Sequence, residues 1–457
     1  MLILLNLSTM PLTIQIFHTG QWHDAADLDI PAPERGRAGP ARLAYRQDYC
    51  LEWMGRDDEH ACSLTLPVEL MLTHHWPRWF GFLDDIMPSG AARRYWAQQL
   101  GIASRPGPQQ DYELLRAGCI APVGNLRIKE ALPRSPRSST LSQLRFDIAD
   151  VVERDTNFLE YAQQMGAVSG GATGAGGEAP KYLLRCSAQD EIWIDTFQDD
   201  LHCTDTHYLI KFPRGQRTSI DCDILRAEYH YYHELRALGM TTIDTTRMHL
   251  REGNGYPSLW LPRFDVAVVD DTLTHFGLES IASLLNAPPG AFLNHFDTLR
   301  STVQCLSNMH SVAELGDTFD RAAFVIEWVK RDFLNVAFGN SDNHARNTAL
   351  LKQPGRVWLS PIYDFAPMKA DPEGVIRTLQ WGSPFEEGGN FDWHGIATAL
   401  SDLAEPERLL SELGILARQL AGLRERLQQR GVSERLLSMP AVGLEYLDRK
   451  LVQWRLP

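Results

Sequence analysis

One stretch, from residue 321 to residue 367, limits the folds open to this chain more than any other. Arg321–Phe338 reads as a buried helix, with Phe324, Trp328 and Leu334 among its larger apolar residues. Gly339 stops it, because glycine accepts the left-handed conformation that follows a helix end. Seven of the next eight residues are polar: Asn340-Ser341-Asp342-Asn343-His344-Ala345-Arg346-Asn347. Two strand-like runs follow, Thr348–Leu351 and Val357–Leu359, joined by a turn at Gln353-Pro354-Gly355. The second delivers Pro361-Ile362-Tyr363-Asp364-Phe365. Two acids and an amide, Asp342, Asn347 and Asp364, are thereby expected to converge in one cleft.

That set matches the needs of phosphoryl transfer, which asks for positioning and charge neutralisation more than covalent help. A carboxylate must take or orient the proton of the attacking hydroxyl. Oxygen ligands must hold Mg²⁺ against a triphosphate, and Mg²⁺ accepts a few protein oxygens alongside phosphate and water. An Asp, an Asn five residues later and a second Asp beyond a hairpin is the kinase arrangement, and Asp342, Asn347 and Asp364 have that order and spacing. Asp364-Phe365-Ala366 differs from the common Asp-Phe-Gly only in its last residue. Asp and Asn also favour turns for local reasons, so none of the three is informative singly; together with the helix stop and the hairpin they are.

Upstream residues complete the chemistry. Lys211 ends an apolar run, Tyr208-Leu209-Ile210-Lys211-Phe212, from which a compact positive charge can reach the α- and β-phosphates of ATP. Glu228 lies three residues after Leu225 and seven before Leu235, on the apolar stripe of its helix. An unpaired carboxylate there is costly, so a cationic partner is expected, and Lys211 is the candidate. Gly166–Gly177 holds six glycines in twelve residues. Its last members would let backbone N–H groups approach phosphate oxygens, with Lys181 adding charge, although such runs are also ordinary flexible loops. Arg263-Phe264-Asp265 stands where an adenine-binding hinge between lobes would fall, and Pro262 keeps a carbonyl acceptor. His74-His75-Trp76-Pro77 has no spaced third ligand and is read as local packing. Tyr229, Tyr231 and Tyr232 are read as core or lobe-interface residues.

Composition narrows the alternatives. With 58 acidic against 44 basic side chains, a net charge of −14 disfavours direct wrapping of nucleic acid. Seven scattered cysteines form neither a disulfide framework nor a C-x-x-C site, which is the pattern of a reduced, cytoplasmic protein. No apolar run reaches the roughly 18–20 residues needed to span a bilayer. Met1–Phe17 lacks the basic start and small-residue cleavage site of a signal peptide, and Met10 is an alternative start.

The expected fold is α+β: a two-lobed, protein-kinase-like arrangement with an additional N-terminal α/β subdomain. The subdomain takes residues 1–130, with strands at Leu12–Phe17 and Cys62–Pro67 and a helix at Ala91–Leu100. Residues 131–143, with two prolines and four serines, form a linker. The β-rich small lobe takes 144–265. It opens with one amphipathic helix, Leu144–Met165, and has strands at Lys181–Arg185, His207–Phe212, Arg247–Leu250 and Ser258–Phe264 and a helix at Ile224–Leu238. A helical large lobe takes 266–457.

At these residues the sequence resembles the HipA family of serine/threonine kinases, the toxin half of bacterial toxin–antitoxin pairs. Asp342-Asn343-His344-Ala345-Arg346-Asn347 resembles the family's DGHAKN, and Pro361-Ile362-Tyr363-Asp364 its PFYD. Thr206–Lys211 is similar to THIIK and Arg263-Phe264-Asp265 to ERFD. In the N-terminal part, the segment from Phe80 through Leu83, Asp84 and Asp85 to Gly90 resembles the surroundings of the LLP motif, and Val123-Gly124-Asn125-Leu126 resembles VGAL. The resemblance implies Asp342 as proton acceptor, Asn347 and Asp364 as Mg²⁺ ligands, and Lys211, set by Glu228, on ATP. It places Gly176, Gly177, Glu178, Ala179, Pro180 and Lys181 over the phosphates and Pro262, Arg263 and Phe264 at adenine. His344, Ala345, Arg346 and Tyr363 are counted with the nucleotide-contacting residues.

The family phosphorylates protein hydroxyls, in known cases on aminoacyl-tRNA synthetases, and is restrained by a small helix-turn-helix antitoxin and by phosphorylation of its own loop serine. Any DNA contact would then run through such a partner. Here Gly174 stands where that serine is expected, leaving Thr173 or Ser169 as substitutes for autophosphorylation. Two other readings stay open: a small-molecule phosphotransferase of the aminoglycoside or choline kinase type, and a catalytically weak kinase-like scaffold that binds a DNA-binding antitoxin.

Overall fold

A computed structural model of the chain describes residues 10–120, 122–132, 143–165, 181–195, 197, 200–269, 271–311 and 319–456. The first unit is a five-stranded antiparallel sheet in the order Thr73–Trp76, Ala41–Tyr45, Gln21–Asp29, Leu12–His18, Leu126–Ile128. Leu12–His18 is buried along its whole length. One face feeds a core of Leu12, Ile14 and Ile16 with Leu83, Ile86 and Leu114 from the covering helices. On the other, Gln15 accepts from Arg127 Nε at 2.7 Å, and Phe17 packs edge-on against His275 of a later strand. The strand keeps its apolar–polar alternation, Leu12, Ile14 and Ile16 against Thr13 and Gln15, yet both faces are covered.

Cys62–Pro67 is not a strand. It is a tight turn closed by a Ser63–Leu66 bridge. Two of its polar groups are satisfied by the large lobe: Glu279 accepts from Ser63 Oγ at 2.5 Å and from Leu64 N at 3.0 Å. Leu64 itself sits in the large-lobe core. Extended-looking residues were thus recruited into an interface rather than a sheet.

The second unit is a six-stranded antiparallel sheet, ordered His249–Glu252, Pro257–Pro262, Thr206–Lys211, Lys181–Cys186, Glu191–Trp193, Phe146–Asp147. The expected single helix Leu144–Met165 is broken. A short strand, Phe146–Asp147, precedes a helix at Ile148–Glu153; Arg154, at φ +55°, turns the chain into a second helix, Thr156–Met165. Two short helices let Val151, Phe158 and Tyr161 all reach the core under the sheet, with Tyr182, Ile210 and Trp260. Most of the linker expected at 131–143 lies outside the described residues.

The third unit is mainly helical, around a small sheet of Gly277–Ser280, Ala349–Gln353 and Arg356–Leu359. Its central helix, Arg321–Ala337, starts on Asp320, whose carboxylate accepts from Ala323 N at 2.9 Å. The helix buries Phe324, Trp328, Phe333 and Leu334 against helices such as His295–Ser307 and Pro406–Leu420. Each such side chain contributes roughly 1.5–3 kcal/mol by leaving water. Gly339 ends it at φ +67°, where an added Cβ would lie 2.7 Å from the Val442 carbonyl oxygen. Among the described residues, no helix is long and apolar enough to cross a membrane. The seven cysteines are all free.

Candidate active site

The strand Thr206–Lys211 lies in the middle of its sheet and carries Lys211 into the gap between the sheet and the helical unit. The helix Ser219–Ala237 crosses beside it, started by a capping box in which Asp221 Oδ2 accepts from Thr218 N at 2.7 Å. Glu228, on its buried stripe, meets Lys211 Nζ at 2.6 Å. Tyr232, one turn on, donates to the same carboxylate at 2.9 Å. The expected cationic partner of Glu228 is Lys211.

Asp364 joins this pair from the other side. Its carboxylate accepts from Lys211 and lies 3.4 Å from Lys181 Nζ. Its backbone is left-handed, φ +54°, a costly conformation that aspartate tolerates better than most residues. Burial alone would raise the Asp364 carboxyl, but Lys181 and Lys211 hold it far below the usual range. Burial alone would likewise lower Lys211, yet Asp364 and Glu228 raise it. Lys181 moves the opposite way: burial lowers it, and Asp364 only partly opposes. The cluster is one lysine fully charged between two carboxylates and a second, more easily discharged lysine at its rim.

The polar loop lies below. Asn347 Nδ2 donates to the Asp342 carbonyl oxygen at 2.8 Å, while its buried Oδ1 has no hydrogen-bond partner. Asp342 N donates to Asn340 Oδ1 at 3.1 Å, and His344 Nε2 lies 3.4 Å from Asp342 Oδ1. Burial pushes the Asp342 carboxyl up; His344 pulls it down and Asp364 adds to the rise. Asn343 points away from the cleft, donating to Asp332 of the central helix at 2.6 Å.

Three openings meet at these residues. One, about 420 Å³, is mostly apolar: Val123, Leu209, Ile243, Leu261, Pro262, Phe264 and Tyr363 line it, with the two lysines and Asp364 at its end. The second, about 540 Å³, holds Lys181, Lys211, Arg214, Glu228, Asp342 and Asp364. In the third, about 950 Å³, Asp342, His344, Ala345 and Arg346 face the Ala287–Ala291 turn, Leu293, Val375 and Thr378. Asp342 and Arg214 border both of the latter two. An apolar slot, a charged junction and a wide outer cleft therefore run through one continuous set of residues.

Arg263 and Asp265 also border the slot, as does Tyr363, while Ala345 and Arg346 face the outer cleft. The guanidinium of Arg263 is tied to Asp265 at 2.6 Å, and Asp265 also accepts from Gly124 N at 2.6 Å. Ala345 offers its carbonyl to Ala282 N at 3.1 Å. Arg346 faces the outer cleft and pairs with Asp84 at 3.1 Å and Asp85 at 3.2 Å, both from the N-terminal unit. Tyr363 stacks on Phe264, ring centroids 5.7 Å apart, and donates to the Arg346 carbonyl at 2.7 Å. Gly176, Gly177, Glu178, Ala179 and Pro180, with Thr173 and Ser169, lie outside the described residues.

The sequence reading missed Arg214, which bonds Asp371 and Glu373 at 3.1 Å each, and gave no role to Asp84, Asp85 or Asp332. Asp332 is a lone acid on an otherwise apolar helix face, the same signal that singled out Glu228.

Two family models match the chain. The HipA N-terminal domain matches residues 36–129, and the HipA-like C-terminal domain matches residues 173–420, more than half of the sequence. The chain belongs to the HipA family. Its HipA-like C-terminal match contains every residue of the cluster described above, from Lys181 to Asp364. Toxin YjjJ of Escherichia coli (strain K12) is 26% identical over 384 residues, covering 79% of this chain and 70% of that protein. The HipA of Shewanella oneidensis MR-1, solved in a toxin–antitoxin complex with HipB and operator DNA, superposes with a TM-score of 0.61 at 15% identity, over 97% of this chain and 96% of the other. The fold is thus the two-lobed, kinase-like α+β architecture of HipA with its extra N-terminal subdomain.

Proposed function

We propose that the chain is an ATP- and Mg²⁺-dependent protein serine/threonine kinase. The observation that carries this reading is the junction of Lys181, Lys211, Glu228 and Asp364 beside an apolar slot, with Asp342 on its outer side. The slot suits a purine ring between Leu209, Ile243, Leu261 and Tyr363. Lys211, held by Glu228, is placed to take phosphate charge in exchange for its contact with Asp364.

The donor set fits Mg²⁺. Asn347 has a buried amide oxygen without a partner, and Asp364 is a carboxylate kept ionised by its neighbours. These two residues would hold the ion, which when bound neutralises phosphate charge and orients the terminal phosphoryl group. Asp342 accepts the proton of the attacking hydroxyl, and a carboxyl raised by burial is the better base for it. His344, beside it, orients that carboxylate. The wide outer cleft beyond Asp342 favours a protein segment over a small sugar as acceptor.

Wider features follow from the same reading. Boundaries near residues 130, 144 and 265 divide the subdomain, linker, small lobe and large lobe. Free cysteines suit a cytoplasmic location. A small DNA-binding antitoxin is a natural partner, as HipB is for the Shewanella protein, and an aminoacyl-tRNA synthetase is one candidate target.

The test is transfer of radiolabel from ATP in Mg²⁺ to the protein itself or to proteins of a cell extract, recovered as phosphoserine or phosphothreonine. Asp342→Asn should cut transfer about 10²–10⁴-fold while retaining nucleotide binding. Equal labelling by wild type and Asp342→Asn would overturn the role of Asp342. Label recovered in aminoglycoside or choline would favour a small-molecule kinase, and nucleotide binding without any transfer would favour a scaffold.

A further inference from the structure

The N-terminal unit reaches the polar loop through one helix, Gly81–Ile86, and the approach is close. An added Cβ on Gly81 would lie 2.4 Å from the Ser283 carbonyl oxygen, and Gly81 N donates to Asn286 Oδ1 at 2.8 Å. Asp85 Oδ2 accepts from Ser280 N, and its Oδ1 accepts from Ser280 Oγ, each at 2.7 Å. The same Oδ1 takes Arg346 NH1 at 3.2 Å, while Asp84 Oδ2 lies 3.1 Å from Arg346 NH2. Asp84 is itself fixed from behind. Arg37 bonds it, and Asp111 holds both Arg37 (3.0 Å) and Arg93 (2.7 Å).

Arg346 is the residue immediately before Asn347. Its carbonyl receives the Tyr363 hydroxyl at 2.7 Å, and Tyr363 immediately precedes Asp364. One residue therefore joins three things: its side chain meets a helix of the N-terminal unit, its backbone belongs to the loop bearing Asp342 and Asn347, and its carbonyl holds the segment bearing Asp364. A largely buried guanidinium hydrogen-bonded to Asp85 and in ion-pair range of Asp84, both themselves held, is a fixed reference point, not an adaptable surface pair.

We propose that Asp84 and Asp85 are positioning residues for phosphoryl transfer, acting through Arg346 to hold the Asp342–Asn347 loop in its working register. The N-terminal unit is then an integral part of the active site, which is assembled only when the helix Gly81–Ile86 is seated. The proposal rests on the kinase reading above, and wild-type transfer tests that reading separately.

The experiment uses the full-length chain and measures kcat, KM for ATP and nucleotide affinity for Asp84→Asn, Arg346→Met, the double variant, and Arg346→Lys. Misplacement of a catalytic group by about 1 Å can cost on the order of 10²-fold in rate. Arg346→Met should lower kcat by roughly that factor while KM for ATP and nucleotide affinity stay within about twofold. The double variant should fall no further than Arg346→Met alone, and Arg346→Lys, which keeps the charge, should recover most of the rate. A purely structural contact would lower the melting temperature and leave kcat of the folded fraction unchanged. That result, or additive losses in the double variant, overturns the proposal. Should Arg346→Met fail to fold, Asp84→Asn decides alone, because one carboxylate on Arg346 remains: a lowered kcat at unchanged nucleotide affinity supports it and an unchanged kcat overturns it.

Discussion

Glu228 and Lys211 meet at 2.6 Å across the seam between a helix and a sheet, both almost wholly buried. The same ammonium also serves Asp364, so each of these buried carboxylates has a cation beside it.

Lys211→Met removes the shared cation. Among the described residues Glu228 then keeps the Tyr232 hydroxyl, and Asp364 keeps Lys181. Unfolding in urea should show a loss of about 3 kcal/mol, at the lower end of the ~3–5 kcal/mol for breaking a buried pair, since Lys181 remains. Adding Glu228→Gln should restore part of that loss. A double variant less stable than Lys211→Met would show that Glu228 is held by something other than this lysine.

Asp332 is the second buried hub. Its carboxylate takes Arg377 at 2.9 Å, Trp381 Nε1 at 2.7 Å and the Asn343 side chain at 2.6 Å. Arg377 first, then His295 and Trp381, hold it far below the usual carboxylate range against the effect of burial. Asp332→Ala should destabilise by about 3–5 kcal/mol and should also slow transfer, because Asn343 lies between Asp342 and His344. Asp332→Asn should cost less on both counts. Urea midpoints and labelling rates measured on the same preparations check both halves; normal transfer by folded Asp332→Ala would detach this hub from the loop.

The third expectation concerns pH. His275 is buried among Arg263, Asp265, Arg185 and Arg127, and burial first, then Arg263, holds it down to about 3. The unfolded chain protonates this histidine near pH 6.5. Below that value the unfolded state binds more protons than the folded one, so stability falls as pH drops from about 6.5 towards 3. Each such histidine contributes a slope of about 1.4 kcal/mol per pH unit in that window. His18, lowered to about 3 mainly by burial, acts the same way. His275→Phe should remove about one proton's worth of the acid slope, read as urea midpoints at pH 7, 6 and 5. An unchanged slope would mean that His275 is already protonated in the folded protein.

Much of the site was legible in the linear order of residues. Asp342, Asn347 and Asp364 are separated by a loop and a hairpin short enough for their geometry to follow from the turn chemistry between them. Lys211 could be paired with Glu228 from sequence because a buried acid on an apolar helical stripe demands a cation and a lysine ended the neighbouring strand. Element ends were less legible. The break at Arg154 has no glycine or proline to announce it; it exists because Val151 and Phe158 must both face the same sheet. Cys62–Pro67 has the composition of a strand, but its backbone N–H groups go to Tyr45, to Ser63 within the turn and to Glu279 rather than to a neighbouring strand.

By itself, then, the sequence determined the family, the two-lobed fold and the Lys211–Glu228 pair that meets Asp364. These depend on local spacing, helix stops and the cost of burying a lone charge, which act within a few dozen residues. Only the tertiary structure decided what seats the loop. Asp85 and Arg346 stand 261 positions apart and come together through the packing of Gly81 on Ser283. No periodicity or turn rule relates residues that distant. Their contact follows from how whole surfaces fit once each unit has formed its own core.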